Sequence, residues 1–372
     1  MLATGAHITK EKDLNAHIEG FVAQLKRRQI QGSYNVALAT AQLLLRVVSA
    51  ARWTHIDQLV TQIKILGKRL QGAQPRELAC GNIIRRVLAL IREESEDTNG
   101  SESGDGVANS PLITSMFSLL STNDEYGANR LSQSLMDGTG KSIKKDLKPY
   151  IIEGIQELID ELRNIDESIA SMGVEMIHEN ETILTPTPNS KTVLKFLLRT
   201  AQKRKFTVLV VEVFPNDVEK THEFALKLAE AGIETTVITD AMVYSIMGRV
   251  GKVVLGTHAV LANGGLLASA GAAMICQCAN VHRTPVVVCT GLYKLSPMYP
   301  FDVESLIEVG DTGKVLAFED GSLVDKVNVV NPLYDYVPPE SVDLCITNMG
   351  GYSPSFMYRL VLDHYRQEDA TL

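Results

Sequence analysis

The sequence predicts an α/β protein: an N-terminal helical bundle followed by a Rossmann-like domain built on a parallel sheet. Three observations carry this. Residues 8–93 repeat apolar side chains at helical spacing, as in Leu14, Ile18, Phe21, Val22 and Leu25. After residue 173 the rhythm changes to short β-branched runs alternating with helical stretches, the pattern of right-handed crossovers onto a parallel sheet. Two of those runs, 234–238 and 252–255, read as strands buried on both faces, and each stops at a small or polar loop, Thr239-Asp240-Ala241 and Gly256-Thr257-His258. Loops at the carboxyl ends of such strands are where open α/β sheets hold ligands.

Composition sets the limits. The chain has 372 residues and a net charge of −8, which argues against general nucleic-acid binding by the whole chain. No run of eighteen apolar residues suggests a membrane span, and the first residues lack the apolar core of a signal peptide, so the expected location is the cytoplasm. The five cysteines, Cys80, Cys276, Cys278, Cys289 and Cys345, show no zinc-like spacing and are expected to be reduced and buried. No cofactor or metal site is expected. The charge is uneven. Between residues 20 and 92 twelve Lys or Arg face only Asp57 and Glu77, a basic module on an otherwise acidic chain.

In order, helices are expected over 33–51, opened by Ser33, over 55–70, closed by Gly72, and over 76–92 after Pro75. The acidic, Ser/Gly-rich stretch 93–109 is expected to be disordered, because it cannot bury enough apolar surface. An apolar island, 115–120, is either a strap on the bundle or a docking segment. Pro149 opens an amphipathic helix that connects the domains over 148–172, with the helical domain at 1–147 and the sheet domain at 173–372. Strands are then expected at 182–185, 206–211, 234–238, 252–255, 285–289, 327–330 and 343–347. Helices are expected at 190–203, 218–231, 265–281 and 354–365. The glycines at 248 and 251 make a turn and not a dinucleotide fingerprint, because no helix opens there after a first strand. Asn263-Gly264-Gly265 fits either a tight turn or a phosphate cradle. His178, before the first strand, is an interface group or a solvated loop residue.

A succession of motifs runs through the second half: ILTPTPNSKTV (183–193), TDAM (239–242), VLGTHAVLANGG (254–265), TPVVVCTGLYKLSP (284–297), NPLYDYVPPE (331–340) and ITNMGGYSPSFMYRL (346–360). Together they resemble the superfamily that holds the regulatory subunits of translation initiation factor 2B and two sugar-phosphate isomerases, acting on methylthioribose 1-phosphate and ribose 1,5-bisphosphate. KRKFTVLVVE, AGIETTVITDA, YKLSP and DYVPPE resemble the beta-type regulatory branch most closely. The resemblance implies that an isomerase of this kind would use a cysteine after the first strand and an aspartate after a later one. Asp240 matches the aspartate. The cysteine position falls in Thr185-Pro186-Thr187-Pro188, which has none, and its prolines remove backbone donors. His258 and Asn348 stand where the isomerases carry acidic residues. Thr187, Asp240 and His258 are therefore expected to be vestigial positions, with Asp240 capping a helix over 241–248.

The resemblance thus implies a non-catalytic regulatory subunit of the guanine-nucleotide exchange complex for initiation factor 2. Its partners would be the alpha, gamma, delta and epsilon subunits and the alpha subunit of the GTPase, whose phosphorylation the complex senses. An aldose–ketose isomerase is the alternative. Partner-binding candidates are Lys26, Arg27, Arg28, Lys68, Arg69, Arg85, Arg86 and His178. Direct nucleic-acid binding is not expected, because no aromatic platform accompanies these charges.

Overall fold

The computed structural model describes residues 3–53, 55–100 and 147–372. Among the described residues five long helices come first: α1 (Ala3–Lys26), α2 (Ser33–Ala50), α3 (Ile56–Ala73), α4 (Leu78–Gly100) and α5 (Lys148–Ser171). Each turns an apolar stripe inward, as with Leu59, Ile63, Leu66 and Leu70 on α3. Pro149 lies in the first turn of α5, where its missing N–H costs nothing. Three expectations at the helix ends fail. Ser33 does not cap α2: the cap is Gly32, and the Ser33 hydroxyl turns to His258 instead. Gly72 does not close α3, which runs on to Ala73. Helix α4 continues to Gly100, so residues 93–100 of the expected disordered stretch are helical. Its start is anchored by packing and its extension is tied by an Arg86–Glu93 ion pair at 3.5 Å and by Arg366 to Glu96 at 2.7 Å. The rest of that stretch and the island at 115–120 lie outside the described residues.

The sheet domain holds seven strands in the order β10-β9-β7-β4-β1-β2-β3. Their spans are β1 (Glu181–Thr185), β2 (Phe206–Val211), β3 (Glu234–Ile238), β4 (Lys252–Gly256), β7 (Val286–Cys289), β9 (Leu344–Thr347) and β10 (Gly350–Tyr352). All neighbours are parallel except β10, which folds back antiparallel on β9. A second, antiparallel sheet joins β5 (Ala259–Val260), β6 (Leu266–Ser269) and β8 (Tyr334–Val337). The expected helix over 265–281 is therefore half strand: β6 comes first, and the helix is Ala272–His282. The expected strand at 327–330 has no ladder partner; the strand of that region is β8.

Alternate residues of the central strands enter different cores. Val254, Val287 and Ile346 face the core shared with the helices, whereas Val253, Leu255, Val286, Val288 and Cys345 face the other. Burial on both faces explains why these strands read as unbroken apolar runs. The first core runs without interruption from Phe21 through α5 to Ile346, so the bundle packs on one face of the sheet. Four of the five free cysteines are buried, and Cys278 is half-buried instead, against the second core.

The chain then returns to the bundle. After the last helix, Met357–His364, the segment 366–372 lies along α3 and α4. Asp369 is fully buried and receives Lys64 at 2.7 Å and Arg92 at 2.8 and 3.1 Å. These hydrogen bonds hold its carboxyl below the usual carboxylate range although burial opposes them.

Candidate functional site at the sheet switch point

The strand order reverses between β1 and β4, and the crevice outside their carboxyl ends is the place where this architecture binds ligands. Here the crevice is occupied by the chain itself. The Thr187 hydroxyl, after β1, accepts the Gly256 N–H at the end of β4 at 2.8 Å. A Cβ on Gly256 would lie 2.4 Å from the Ser190 hydroxyl oxygen, so the two loops touch. Ser190 itself caps the following helix, Lys191–Ala201, by accepting from the Val193 N–H.

The next residues turn toward the bundle. Thr257 donates its hydroxyl to the carbonyls of Ala259 and Leu267, both 2.7 Å away. The Thr257 carbonyl accepts from the buried Lys294 ammonium at 2.7 Å. Burial pushes Lys294 down to about 8, partly offset by the charges of Asp166 and Glu77. His258 sits between elements. Its Nδ1 lies 3.0 Å from the Ser33 hydroxyl at the start of α2, and its Nε2 lies 3.6 Å from the buried Glu77 carboxylate just before α4. Its ring stacks on Tyr334 of β8 at 4.3 Å, and burial pushes that phenol up to about 12. Asn82 of α4 completes the seam by donating to the Tyr293 carbonyl at 3.1 Å. So the loops that would surround a substrate hold helices α2 and α4.

Asp240 does not cap a helix as expected. The element at 240–242 is a 3₁₀ turn whose cap is Thr239, and Asp240 accepts instead from the Phe214 N–H at 3.0 Å. Asn263-Gly264-Gly265 is a tight turn. Gly264 has φ +83°, a Cβ there would meet the Pro354 carbonyl at 2.3 Å, and the N–H groups of Gly264 and Gly265 are consumed by Leu261 and Asn263. No phosphate cradle is left. Asn348 bridges Leu292 N–H and Glu161 of α5, a further tie between sheet and bundle.

The basic candidates separate into groups. Lys26, Arg27 and Lys68 are exposed. Arg69 pairs with Glu19, which brings α3 beside α1. Arg28 pairs with the buried Glu308 of the sheet domain. Arg85 is the clear correction: it is 3 % exposed and gives its Nε–H to the Ala370 carbonyl at 3.1 Å, so it holds the chain's own C-terminal segment. Arg86 beside it is half-buried. His178 is exposed, with its backbone N–H on Glu181. Sequence reasoning missed Ser33, Glu77 and Lys294 as parts of the crevice. Only Lys294 left a signal, as a lone charge inside the apolar run Leu292-Tyr293-Lys294-Leu295. Among the described residues no group of side chains has the makings of a metal site, and no helix is long and apolar enough to cross a membrane.

This architecture recurs in known proteins. The model of the initiation factor 2 subunit family matches residues 29–354. The chain belongs to that family. Translation initiation factor eIF2B subunit beta of Schizosaccharomyces pombe is 42 % identical over 387 residues, covering 95 % of this chain and 97 % of that protein. The crystal structure of the tetrameric eIF2B-beta2-delta2 complex from C. thermophilum superposes with a TM-score of 0.71 at 31 % identity, covering 98 % of this chain and all of that one. The ribose 1,5-bisphosphate isomerase of Archaeoglobus fulgidus is 28 % identical over 230 residues, 62 % of this chain and 72 % of that enzyme. In sequence, the likeness to eIF2B subunit beta spans 95 % of this chain, whereas that to the isomerase spans 62 % of it.

Proposed function

We propose that the chain is a non-catalytic regulatory subunit of initiation factor 2B, the guanine-nucleotide exchange complex for initiation factor 2. In this reading the sheet domain, 173–372, assembles with alpha- and delta-type subunits, and gamma- and epsilon-type subunits carry the exchange. The helical domain, 1–147, joined through 148–172, meets the alpha subunit of the GTPase and responds to its phosphorylation. The work is cytoplasmic and involves no direct contact with nucleic acid or membrane.

The observation that carries the reading is the self-filled crevice. An aldose–ketose exchange needs one acid and one base across the substrate carbons. The loop 185–188 supplies no thiol, Thr187 is spent on Gly256, and Asp240 is spent on Phe214. The likeness to eIF2B beta subunits over almost the whole chain, and the existence of a beta–delta complex among its structural relatives, support the same conclusion.

Co-expression with a delta-type subunit tests it. A soluble hetero-oligomer is expected, with no ketose formed from methylthioribose 1-phosphate or ribose 1,5-bisphosphate. In the complete complex, reversing Lys26, Arg27 and Lys68 to Glu together should weaken inhibition by the phosphorylated GTPase several-fold, since rim charges are each worth about 0.2–1 kcal/mol. A stable monomer that turns over either sugar phosphate, and stops when Asp240→Asn is introduced, would overturn the proposal.

A further inference from the structure

Between β7 and β8 the chain makes a long excursion, and residues 299–330 of it form an exposed ledge with no strand and only short helical turns. Its surface is unlike the rest. Eight large apolar side chains are exposed within these residues, led by Phe301 at 94 %, Phe318 at 71 % and Val330 at 70 %. Single exposed apolar residues need no explanation, but such a concentration marks a contact surface. Six exposed carboxylates between Asp302 and Asp325 stand among them, against Lys314 and Lys326.

The ledge is not loose. Arg28, at the end of α1, pairs with Glu308, and Arg76, before α4, donates to the Ser305 carbonyl at 3.2 Å. At the other side Lys314 donates to the Asn216 carbonyl at 3.0 Å, and Asn216 and Asn331 exchange amide hydrogen bonds at 2.9 Å. Polar anchors thus fix the ledge against both the bundle and the sheet while its apolar side chains point to solvent. A side chain held outward on a fixed frame costs little further entropy when a partner covers it.

We propose that residues 299–330 dock a non-identical protein subunit whose contacting face is basic at its rim and apolar at its centre. The charge decides the occupant. Nucleic acid and anionic membrane surfaces would be repelled by six carboxylates, whereas a basic protein face would be steered to them. A second copy of this chain would bring its own carboxylates against them. The proposal rests on the subunit reading above, and names a surface away from the crevice and the exposed basic residues of the helices.

The test is photo-crosslinking in living cells with the full chain, placing p-benzoylphenylalanine at Phe301 or at Phe318, with Ile65 as the control position. The crosslinked peptide is identified by mass spectrometry. The expected product is a different chain, joined at a peptide where Lys and Arg outnumber Asp and Glu, formed from 301 and 318 but not from 65. The double variant Phe301→Asp, Phe318→Asp should lower recovery of that chain at least tenfold with an unchanged melting curve, and Glu319→Lys should lower it two- to fivefold. If the crosslinked chain is not a subunit of initiation factor 2B, the docking proposal stands and the subunit reading falls. Crosslinks only within this chain, to a second copy, to an acidic peptide or to nucleic acid overturn the docking proposal. So does the absence of any crosslink, or full recovery of the partner by the double variant.

Discussion

The switch-point crevice and the 299–330 ledge treat their side chains in opposite ways. In the crevice Thr187, Thr257, His258 and Lys294 are all polar, all withdrawn from solvent, and each is matched to a group of the same chain. On the ledge the polar groups that are matched lie at the anchors, and the apolar ones are left uncovered. A buried polar group without a partner is costly, so these four groups are kept by the partners that the chain itself supplies. An exposed apolar group carries a smaller penalty, and it persists where another surface covers it. On the proposed reading, partners are to be sought where the surface is left uncovered, on the ledge and the exposed basic residues of the helices.

Three experiments break or sharpen that contrast. The largest effect is expected from His258→Asp, which sets a second carboxylate beside the buried Glu77 and removes the ring stacked on Tyr334. It should cost about 3–5 kcal/mol, read as a large drop in the urea midpoint, because an uncompensated charge is left between bundle and sheet. A variant as stable as the parent would mean that the crevice is not closed from within. The second is acidification. Burial of the His364 ring, reinforced by the nearby Arg86 charge against a Leu360 backbone hydrogen bond, pushes His364 down to about 4. The unfolded chain takes up this proton first as the pH falls below 6.5, so stability should decline between pH 6.5 and about 4, by at most about 3 kcal/mol. His364→Gln should remove that slope, and an unchanged slope would assign the acid sensitivity elsewhere. The smallest of the three is Thr187→Val. It keeps the shape but leaves the Gly256 N–H buried without an acceptor, at about 1–2 kcal/mol, and should raise the exchange rate of that amide specifically.

How much of this was legible in the sequence depends on the range of the interaction. The strands β1, β2, β4, β7 and β9 could be read because burial on both faces writes continuous β-branched runs into a few consecutive residues. The run 234–238 is expected to be buried on both faces as well, but β3 is the exposed edge of the sheet with only Ile238 buried, and its β-branched residues alone made it legible. The antiparallel pieces β5, β6, β8 and β10 are two to four residues long, too short to write an alternation, and the ladder of β6 is completed by β8 far along the chain. The run Val327-Asn328-Val329-Val330 has the right alternation and no partner, and it is exposed ledge. The loops that line the crevice were legible from the strand ends. What fills it was invisible, because Ser33 is 225 residues from His258. Arg85 and Arg86 looked alike in sequence, yet one residue's turn of a helix puts the first inside under the returning chain and leaves the second half-buried.

That returning chain has a consequence for how the protein is made. Arg92 and Asp369 are 277 residues apart in sequence. At roughly 5–20 residues per second, translation delivers the carboxylate about 14–55 s after the arginine it neutralises. Throughout that interval the nascent bundle carries Lys64, Arg85 and Arg92 without their final acceptors, and α4 lacks the segment that later covers it. The helices are thus synthesised first but finished last. A chain that ended before residue 369 would leave Lys64, Arg85 and Arg92 without these acceptors.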